Sequence, residues 1–269
     1  MRFGPAGIPN SSPKKDTLTG LKTVKDLGLD AMELEFVYGV RMSESTALKV
    51  RDLAKELDIK LSAHAPYYIN LNAQEKVKIE RSIKNLVDSA KIAYYAGAES
   101  VVFHPGWYMR KPKETAYRNV KENLKKALQI IQDNGWNVIL RPETMDSLQK
   151  FGDLDEVIRL SQELENVLPC IDFAHLRYRY QRNDVEFFRK VLEKIENELG
   201  KEALKNMHIH ISGIKLDKHG THINLNESDI PWQEILKLLK EFNVDGIIIS
   251  ESPNLEEDAL MLKKYWEKL

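Results

Sequence analysis

The sequence predicts a (β/α)8 barrel, or TIM barrel, formed as a single domain over residues 1–269. Eight short runs rich in β-branched residues alternate with longer runs that have the apolar spacing of amphipathic helices. A chain of 269 residues with 42% hydrophobic content can also bury one large core. A doubly wound open sheet is the alternative, but no G-x-G-x-x-G turn follows an early strand. Eight β/α units therefore favour the closed barrel.

The predicted strands follow one another along the whole chain. In order they are RFGPAG, AMELEFV, KLSAHA, SVVFHP, NVILRPE, VLPCIDF, MHIHIS and GIIISES. Helical patterns follow them, such as VKIERSIKNLVDSAKIAYYAG after the third strand and ENLKKALQIIQDNG after the fourth. Gly97 and Gly135 are the predicted C-terminal stops of these two helices. The segment PNSSPKK, residues 9–15, is predicted to be the loop after the first strand.

Composition excludes several kinds of function. The chain has one cysteine, Cys170, which rules out an intrachain disulfide and a multi-cysteine metal site. A net charge of −1 excludes a generally basic nucleic-acid coat, although a local basic rim is still possible. No signal-peptide pattern and no apolar run of roughly 18 residues is found. We expect a cytoplasmic protein that does not act at a membrane, and no obligate protein partner is evident.

Potential metal ligands stand at the ends of six consecutive predicted strands. They are His64, His104, Glu143, Asp172 with the nearby His175, His210, and Glu251. Because the C-terminal ends of barrel strands meet at one mouth, these side chains should lie close together. Without a cation, such crowding would leave several buried charges unpaired. The pattern predicts two or three zinc ions, with manganese or iron as alternatives. His208 should point the same way as His210, and core packing is its expected role.

The motifs HAPYYINL, VVFHPG, RPET, CIDFAH, HIS, DKH and SES, in this order, resemble the endonuclease IV family of apurinic/apyrimidinic endonucleases. The resemblance covers nearly the whole chain and implies trinuclear zinc chemistry on the (β/α)8 fold. It implies three ligand groups: His64, His104 and Glu143; Glu143, Asp172, His210 and Glu251; and His175 with ligands from the loop after the seventh strand. That loop offers Asp217 and His219 in one register and His222 in another.

The same resemblance implies incision of damaged double-stranded DNA on the 5′ side of abasic sites, in base-excision repair. Catalytic roles would fall to Glu143, Asp172 and Glu251, and Tyr67 would probe the DNA beside the lesion. The loops GWYMRKPK and LRYRYQR mix basic and aromatic residues able to contact phosphates and stack on bases. Their candidate DNA-binding residues are Arg110, Lys111, Arg177 and Arg179.

Two other functions stay open. Glu33 and Glu35 of the second strand look more like the sugar isomerases and epimerases of the xylose isomerase-like barrels. The alternative is therefore a metal-dependent sugar isomerase or epimerase. A third possibility is a metal-binding barrel that recognises damaged nucleic acid without cutting it.

Overall fold

A computed structural model describes residues 1–269. The strands are β1 (Arg2–Pro5), β2 (Ala31–Glu35), β3 (Lys60–His64), β4 (Ser100–Phe103), β5 (Gly106–Trp107), β6 (Ile139–Pro142), β7 (Lys150–Phe151), β8 (Cys170–Asp172), β9 (Met207–Ile211), β10 (Gly213–Ile214), β11 (His222–Ile223) and β12 (Gly246–Ser250). The helices are α1 (Thr17–Asp26), α2 (Glu44–Glu56), α3 (Lys76–Tyr95), α4 (Lys113–Asp133), α5 (Leu154–Glu163), α6 (Phe173–Tyr180), α7 (Val185–Leu199), α8 (Lys201–Leu204), α9 (Trp232–Glu241) and α10 (Glu256–Trp266). A short 3-10 turn spans Leu225–Glu227. None of the helices combines the length and the apolar character that spanning a membrane requires.

Eight of these strands close into a parallel barrel. One ladder joins β2, β3, β4 and β6, and a second joins β8, β9, β12 and β1. Isolated parallel bridges between Ala6 and Glu33 and between Glu143 and Cys170 connect the two halves. The barrel order is thus β1-β2-β3-β4-β6-β8-β9-β12, and the predicted (β/α)8 fold is confirmed. The helices pack around the barrel over one continuous apolar core.

The helix stops behave as predicted, but some boundaries differ. Gly97 and Gly135 follow the ends of α3 and α4 with φ of +75° and +68°, the left-handed region that glycine adopts without strain. Helix α4 begins at Lys113, well before the predicted ENLKK segment. Strand β8 begins at Cys170 because Pro169, just before it, has no N–H to donate to a ladder. The predicted loop LRYRYQR lies largely in helix α6.

Three consecutive loops at the C-terminal end of the barrel are tied together. Strand β5, just after β4, pairs antiparallel with β7, which lies between β6 and α5. In the loop after β3, the Asn70 side-chain oxygen accepts a hydrogen bond from the Trp107 N–H at 3.2 Å. The Asn72 amide donates to the Trp107 and Tyr108 carbonyls at 2.8 and 3.1 Å. These bonds hold the three loops in one arrangement around the mouth.

Candidate metal centre

Potential ligands from six barrel strands converge at the mouth of the barrel. They form three groups that share residues, and the ligand atoms of each group lie within 4.8 Å of one another. The groups are His64, His104 and Glu143; Glu143, Asp172, His210 and Glu251; and Asp172, His175 and His222. A fourth group, deeper in the barrel, joins Cys170 and His208 to His210.

Glu143, at the end of β6, lies between the first and second groups. Its Oε2 is 3.4 Å from His64 Nε2 and 3.0 Å from His104 Nε2. Its Oε1 faces the other way, 3.2 Å from His210 Nδ1 and 3.3 Å from His175 Nδ1. The carboxylate is fully buried. Each oxygen therefore faces different imidazoles, so this carboxylate could contribute to both the first and the second ligand group.

The second group has a mixed carboxylate and imidazole donor set. His210 Nδ1 lies 3.4 Å from Glu251 Oε1, at the end of β12. Asp172 contributes Oδ2, a buried oxygen that has no hydrogen-bond partner, while its Oδ1 accepts from the His175 N–H and so caps α6. Three carboxylates and one imidazole form a donor set that zinc and manganese both accept. The unpartnered oxygen supports the fit between this group and a cation.

The third group is completed by His222 of β11. His175 Nε2 and His222 Nε2 are 3.2 Å apart. Ser212, in the turn after β9, lies 2.7 Å from His222 Nδ1 and so leaves Nε2 facing the cluster. Gly213 allows this approach, because a Cβ there would lie 2.5 Å from the Asn224 carbonyl oxygen. Ser212 and Gly213 thus position the His222 ring, a role that their sequence context does not indicate.

The structure does not bring Asp217 and His219 to the cluster. The Asp217 carboxylate accepts hydrogen bonds from the backbone N–H groups of His219 and Gly220 and from the Thr221 hydroxyl. It stabilises the turn between β10 and β11, and His219 is exposed to solvent. Of the two registers, the one that ends in His222 is the one whose side chain reaches the cluster.

The second ring nitrogen of most of these histidines is held by a neighbouring group. His64 Nδ1 donates to the Ala65 carbonyl at 2.8 Å, and His175 Nδ1 to the Thr144 carbonyl at 2.9 Å. His210 Nε2 lies 2.9 Å from Glu33 Oε1. The carbonyl partners of His64 and His175 fix which nitrogen faces a metal and how the ring is turned, whereas the His210–Glu33 contact is an ion-pair distance without hydrogen-bond geometry. They leave Nε2 of His64, Nε2 of His175 and Nδ1 of His210 directed at the cluster.

Glu33 supports the metal centre from within the barrel, a role that its sequence position does not indicate. It is fully buried inside the barrel, below the mouth, and its Oε2 lies 3.0 Å from His208 Nε2. The same oxygen accepts a 2.6 Å hydrogen bond from the Ser62 hydroxyl. His208 Nδ1 is 3.2 Å from the Ser100 hydroxyl. Both His208 nitrogens thus face neighbouring polar groups, which agrees with the structural role expected for this residue.

Burial and the neighbouring imidazoles have opposite effects on the ionisation of the cluster's carboxylates. Burial raises the pKa of Asp172 and of Glu251. Burial also opposes ionisation of Glu143, but the imidazoles around it, above all that of His104, hold its pKa well below the usual range. Burial lowers the pKa of His104 and His222. Divalent cations would stabilise the ionised carboxylates and the neutral imidazoles together, which this donor set needs.

Glu35 differs from the other strand-end carboxylates. It ends β2 and is partly buried, and its Oε1 has no hydrogen-bond partner. Burial and the nearby Glu33 raise the pKa of Glu35 to about 8. It belongs to none of the converging ligand groups.

The rim of the mouth is aromatic. Tyr67 is 52% exposed, and its ring makes edge contacts with those of Tyr38 and Tyr68 at centroid distances of 5.9 and 5.6 Å. Trp107 is 42% exposed in the next loop. Such a surface can stack against the rings of a large ligand.

The predicted basic residues divide into two classes. Arg110 is exposed, and Lys111 is partly exposed with its ammonium donating to Asn72. Arg179 is buried, and its guanidinium donates to three backbone carbonyls and to the Tyr108 hydroxyl. Arg177 is also buried and pairs with Asp229 at 3.0 Å. Assignment of Arg177 and Arg179 to DNA contacts is therefore corrected: helix α6 turns both side chains into the protein.

Comparison with known proteins gives one family and two kinds of relative. The family model described as xylose isomerase-like TIM barrel matches residues 21–267. An uncharacterized protein of Methanocaldococcus jannaschii is 46% identical over 99% of this chain and 97% of its own length. The probable endonuclease 4 of Mycoplasma pneumoniae is 29% identical over 71% of this chain and 67% of its own.

The solved structures that this chain resembles include an endonuclease and a sugar epimerase-like protein. Endonuclease IV from Thermus thermophilus superposes with a TM-score of 0.79 at 20% identity and covers 100% of both chains. A D-tagatose 3-epimerase-like protein superposes with a TM-score of 0.76 at 20% identity, covering 100% of this chain and 96% of the other. At these identities the structural likeness establishes the fold alone.

Proposed function

The chain belongs to the xylose isomerase-like TIM barrel family, and on this premise we propose that it is a metal-dependent phosphodiester hydrolase that cuts DNA on the 5′ side of abasic sites. One observation carries the proposal: three ligand groups converge and share Glu143 and Asp172. A single-ion site needs only one of these groups. The second and third groups add three imidazoles that a single-ion enzyme would not use. Similarity to the probable endonuclease 4 of Mycoplasma pneumoniae also supports the proposal.

Bound zinc or manganese ions would supply an activated water and positive charge for the phosphoryl and leaving oxygens. The chain's own residues set the geometry of that chemistry. Glu143 sets the spacing between the first two ligand groups, because its two oxygens face different imidazoles. Asp172 is shared by the second and third groups and is fixed by its capping bond at the start of α6. Glu251 closes the second group from β12.

The rim supports a macromolecular substrate. Tyr38, Tyr67, Tyr68 and Trp107 expose aromatic rings around the mouth, where unstacked bases or a lesion could be held. Arg110 is the exposed cation of the loop that carries Trp107. Contacts of this kind to phosphates would supply salt-dependent affinity even though the net charge is −1.

The test is cleavage of an end-labelled duplex that contains one tetrahydrofuran abasic analogue. Zinc- or manganese-loaded protein should make one cut 5′ of the analogue and leave an intact duplex whole, and removal of metal by a chelator should abolish the cut. Glu251→Gln should be inactive and folded, whereas the exposed Glu267→Gln serves as the matched control. Cleavage by Glu251→Gln at the parent rate would refute the assignment of the site.

A metal-dependent sugar epimerase is the second candidate. The unpartnered carboxyl of Glu35 beside the cluster favours it, because a proton-handling group next to a metal suits isomerisation as well. Incubation of the metal-loaded protein with a panel of ketohexoses, followed by chromatography of the products, distinguishes the two. Epimerised sugar without DNA cleavage would replace the hydrolase by this candidate.

A further inference from the structure

Asp146 is a buried carboxylate that belongs to none of the converging ligand groups. It follows Glu143 in the loop between β6 and β7 and is only 7% exposed. Its Oδ1 lies 2.7 Å from the backbone nitrogen of Ser147 and 2.7 Å from the ammonium of Lys150. Both contacts use the same oxygen, so Oδ2 is left to accept a hydrogen bond from a group outside the chain.

The second oxygen of Asp146 faces the turn that carries His222. A Cβ placed on Gly220, which lies shortly before His222, would be 3.4 Å from Asp146 Oδ2 and 3.3 Å from the Tyr178 ring. Glycine at this position therefore leaves space in front of the carboxylate. Tyr178 holds the turn over Asp146, because its hydroxyl donates to the Asp217 carbonyl at 2.7 Å.

Asp146 also lies within electrostatic range of His175, a member of the third ligand group. Burial opposes ionisation of Asp146, but the His175 imidazole, followed by Lys150, lowers the pKa of Asp146 below its usual value. The direct carboxylate neighbours of His175 Nδ1 are Glu143 and Asp172. Asp146 is thus near the third group without belonging to it, and a separation of this kind suits a bridging water.

The third group has no carboxylate of its own. Asp172 is shared with the second group, and only its Oδ2 is available because Oδ1 caps α6. This buried oxygen, which has no hydrogen-bond partner, and the imidazoles of His175 and His222 give three protein donors. A catalytic zinc ion with three protein ligands carries a water in its fourth position. Such a water needs a hydrogen-bond acceptor that fixes its orientation.

We propose that Asp146 is a positioning residue of the third ligand group, with Oδ2 accepting a hydrogen bond from the water that completes the coordination of the third ion. The inference rests on the metal centre of the proposed function, but it does not depend on the substrate. Arg179 fixes the loop for this role, because its buried guanidinium donates to the Met145 and Ser147 carbonyls on either side of Asp146.

The experiment measures zinc binding in the absence of DNA. Metal-free protein is titrated with zinc against a chromophoric chelator, bound zinc is counted by atomic emission, and the third ion is identified as the one that His222→Ala loses. Asp146→Asn should weaken binding of this ion by about 10–100-fold and leave the other ions unchanged, as is typical when a partner of the metal's ligands is removed. The exposed Asp26→Asn is the matched control.

Lys150→Met separates this role from support of the loop. It removes the ion pair of Asp146 but keeps the carboxylate, so the third ion should bind at least as tightly as in the parent. Equal affinity in Asp146→Asn and the parent would overturn the inference, as would an equal loss in Lys150→Met. A parent that binds no third ion at saturating zinc would overturn it too.

Failure of the proposed function gives a different result. A parent that binds the third ion and loses affinity for it in Asp146→Asn, yet leaves abasic DNA uncut, would support the role of Asp146 and refute the hydrolase.

Discussion

Replacement of Glu33 by alanine tests whether the barrel interior controls the metal centre. Glu33 touches no ion in the proposed arrangement. Its Oε1 lies 2.9 Å from Nε2 of His210, whose Nδ1 faces Glu143 and Glu251. Without the carboxylate, the His210 ring loses the charged group that lies 2.9 Å from its Nε2. Removal of such a partner typically weakens metal binding 10–100-fold, or about 1.4–2.7 kcal/mol.

The structure also predicts how much metal affinity each related variant should lose. Glu33→Gln keeps one accepting oxygen and the side-chain volume, so its loss of affinity should be the smaller. Ser62→Ala removes only the 2.6 Å hydrogen bond to Oε2 and should leave metal affinity near that of the parent. The other oxygen of Glu33, Oε2, lies 3.0 Å from His208 Nε2. Glu33→Ala should therefore also lower the melting temperature of the metal-free protein.

Zinc affinity is measured by competition with a chromophoric chelator, with circular dichroism to confirm folding. His210→Ala is the reference for loss of a direct ligand. The reasoning is refuted if Glu33→Ala binds zinc as tightly as the parent while His210→Ala does not. It is also refuted if Glu33→Gln loses more affinity than Glu33→Ala.

Three further outcomes are expected. His222→Ala should bind one ion fewer per chain than the parent and His219→Ala the same number, as measured by atomic emission after dialysis; equal counts would contradict the assignment of the third group. Arg179→Ala should lower the free energy of unfolding in urea by roughly 2–5 kcal/mol, because it removes a buried guanidinium that donates to three carbonyls, one of them the buried Met145 carbonyl, and to the Tyr108 hydroxyl; little change would contradict its interior role. Hydrogen bonds from Lys121 and Arg159 lower the pKa of Glu163 from 4.5 to about 2, so its stabilising contribution is present above pH 4.5 and is lost as the pH falls through about 2. Glu163→Gln should have a lower melting temperature than the parent at pH 6 and the same melting temperature near pH 2. A difference in melting temperature that grows toward low pH would show that the sign of this pH dependence is wrong.

The ligands at the strand ends could be predicted because the barrel fold itself brings the C-terminal ends of its strands together. Once the strands are assigned, residues at their C-terminal ends meet at one mouth whatever the loops do. His64, His104, Glu143 and Glu251 are all such residues, and each lies in a ligand group. Knowledge of the strands alone was sufficient to place them.

Residues beyond the strand ends could not be placed in this way. The choice between His219 and His222 depended on the β10–β11 pairing, which involves only two residues from each strand. Arg177 and Arg179 were misplaced because helix α6 starts directly after Asp172, with no loop between. The spacing of Phe173, Leu176 and Tyr180 was a helical signal, but it did not by itself indicate that both arginines would be buried.

The pairing of β5 with β7, together with Asn70 and Asn72, has a consequence for redesign of the barrel. A loop that is independent of its neighbours can be exchanged by itself to change what an enzyme accepts. Here the connections after β3, β4 and β6 share hydrogen bonds, so a foreign segment in place of Trp107 would leave polar groups of both neighbours without partners. New specificity on this side of the barrel would have to be transplanted as a block of three loops.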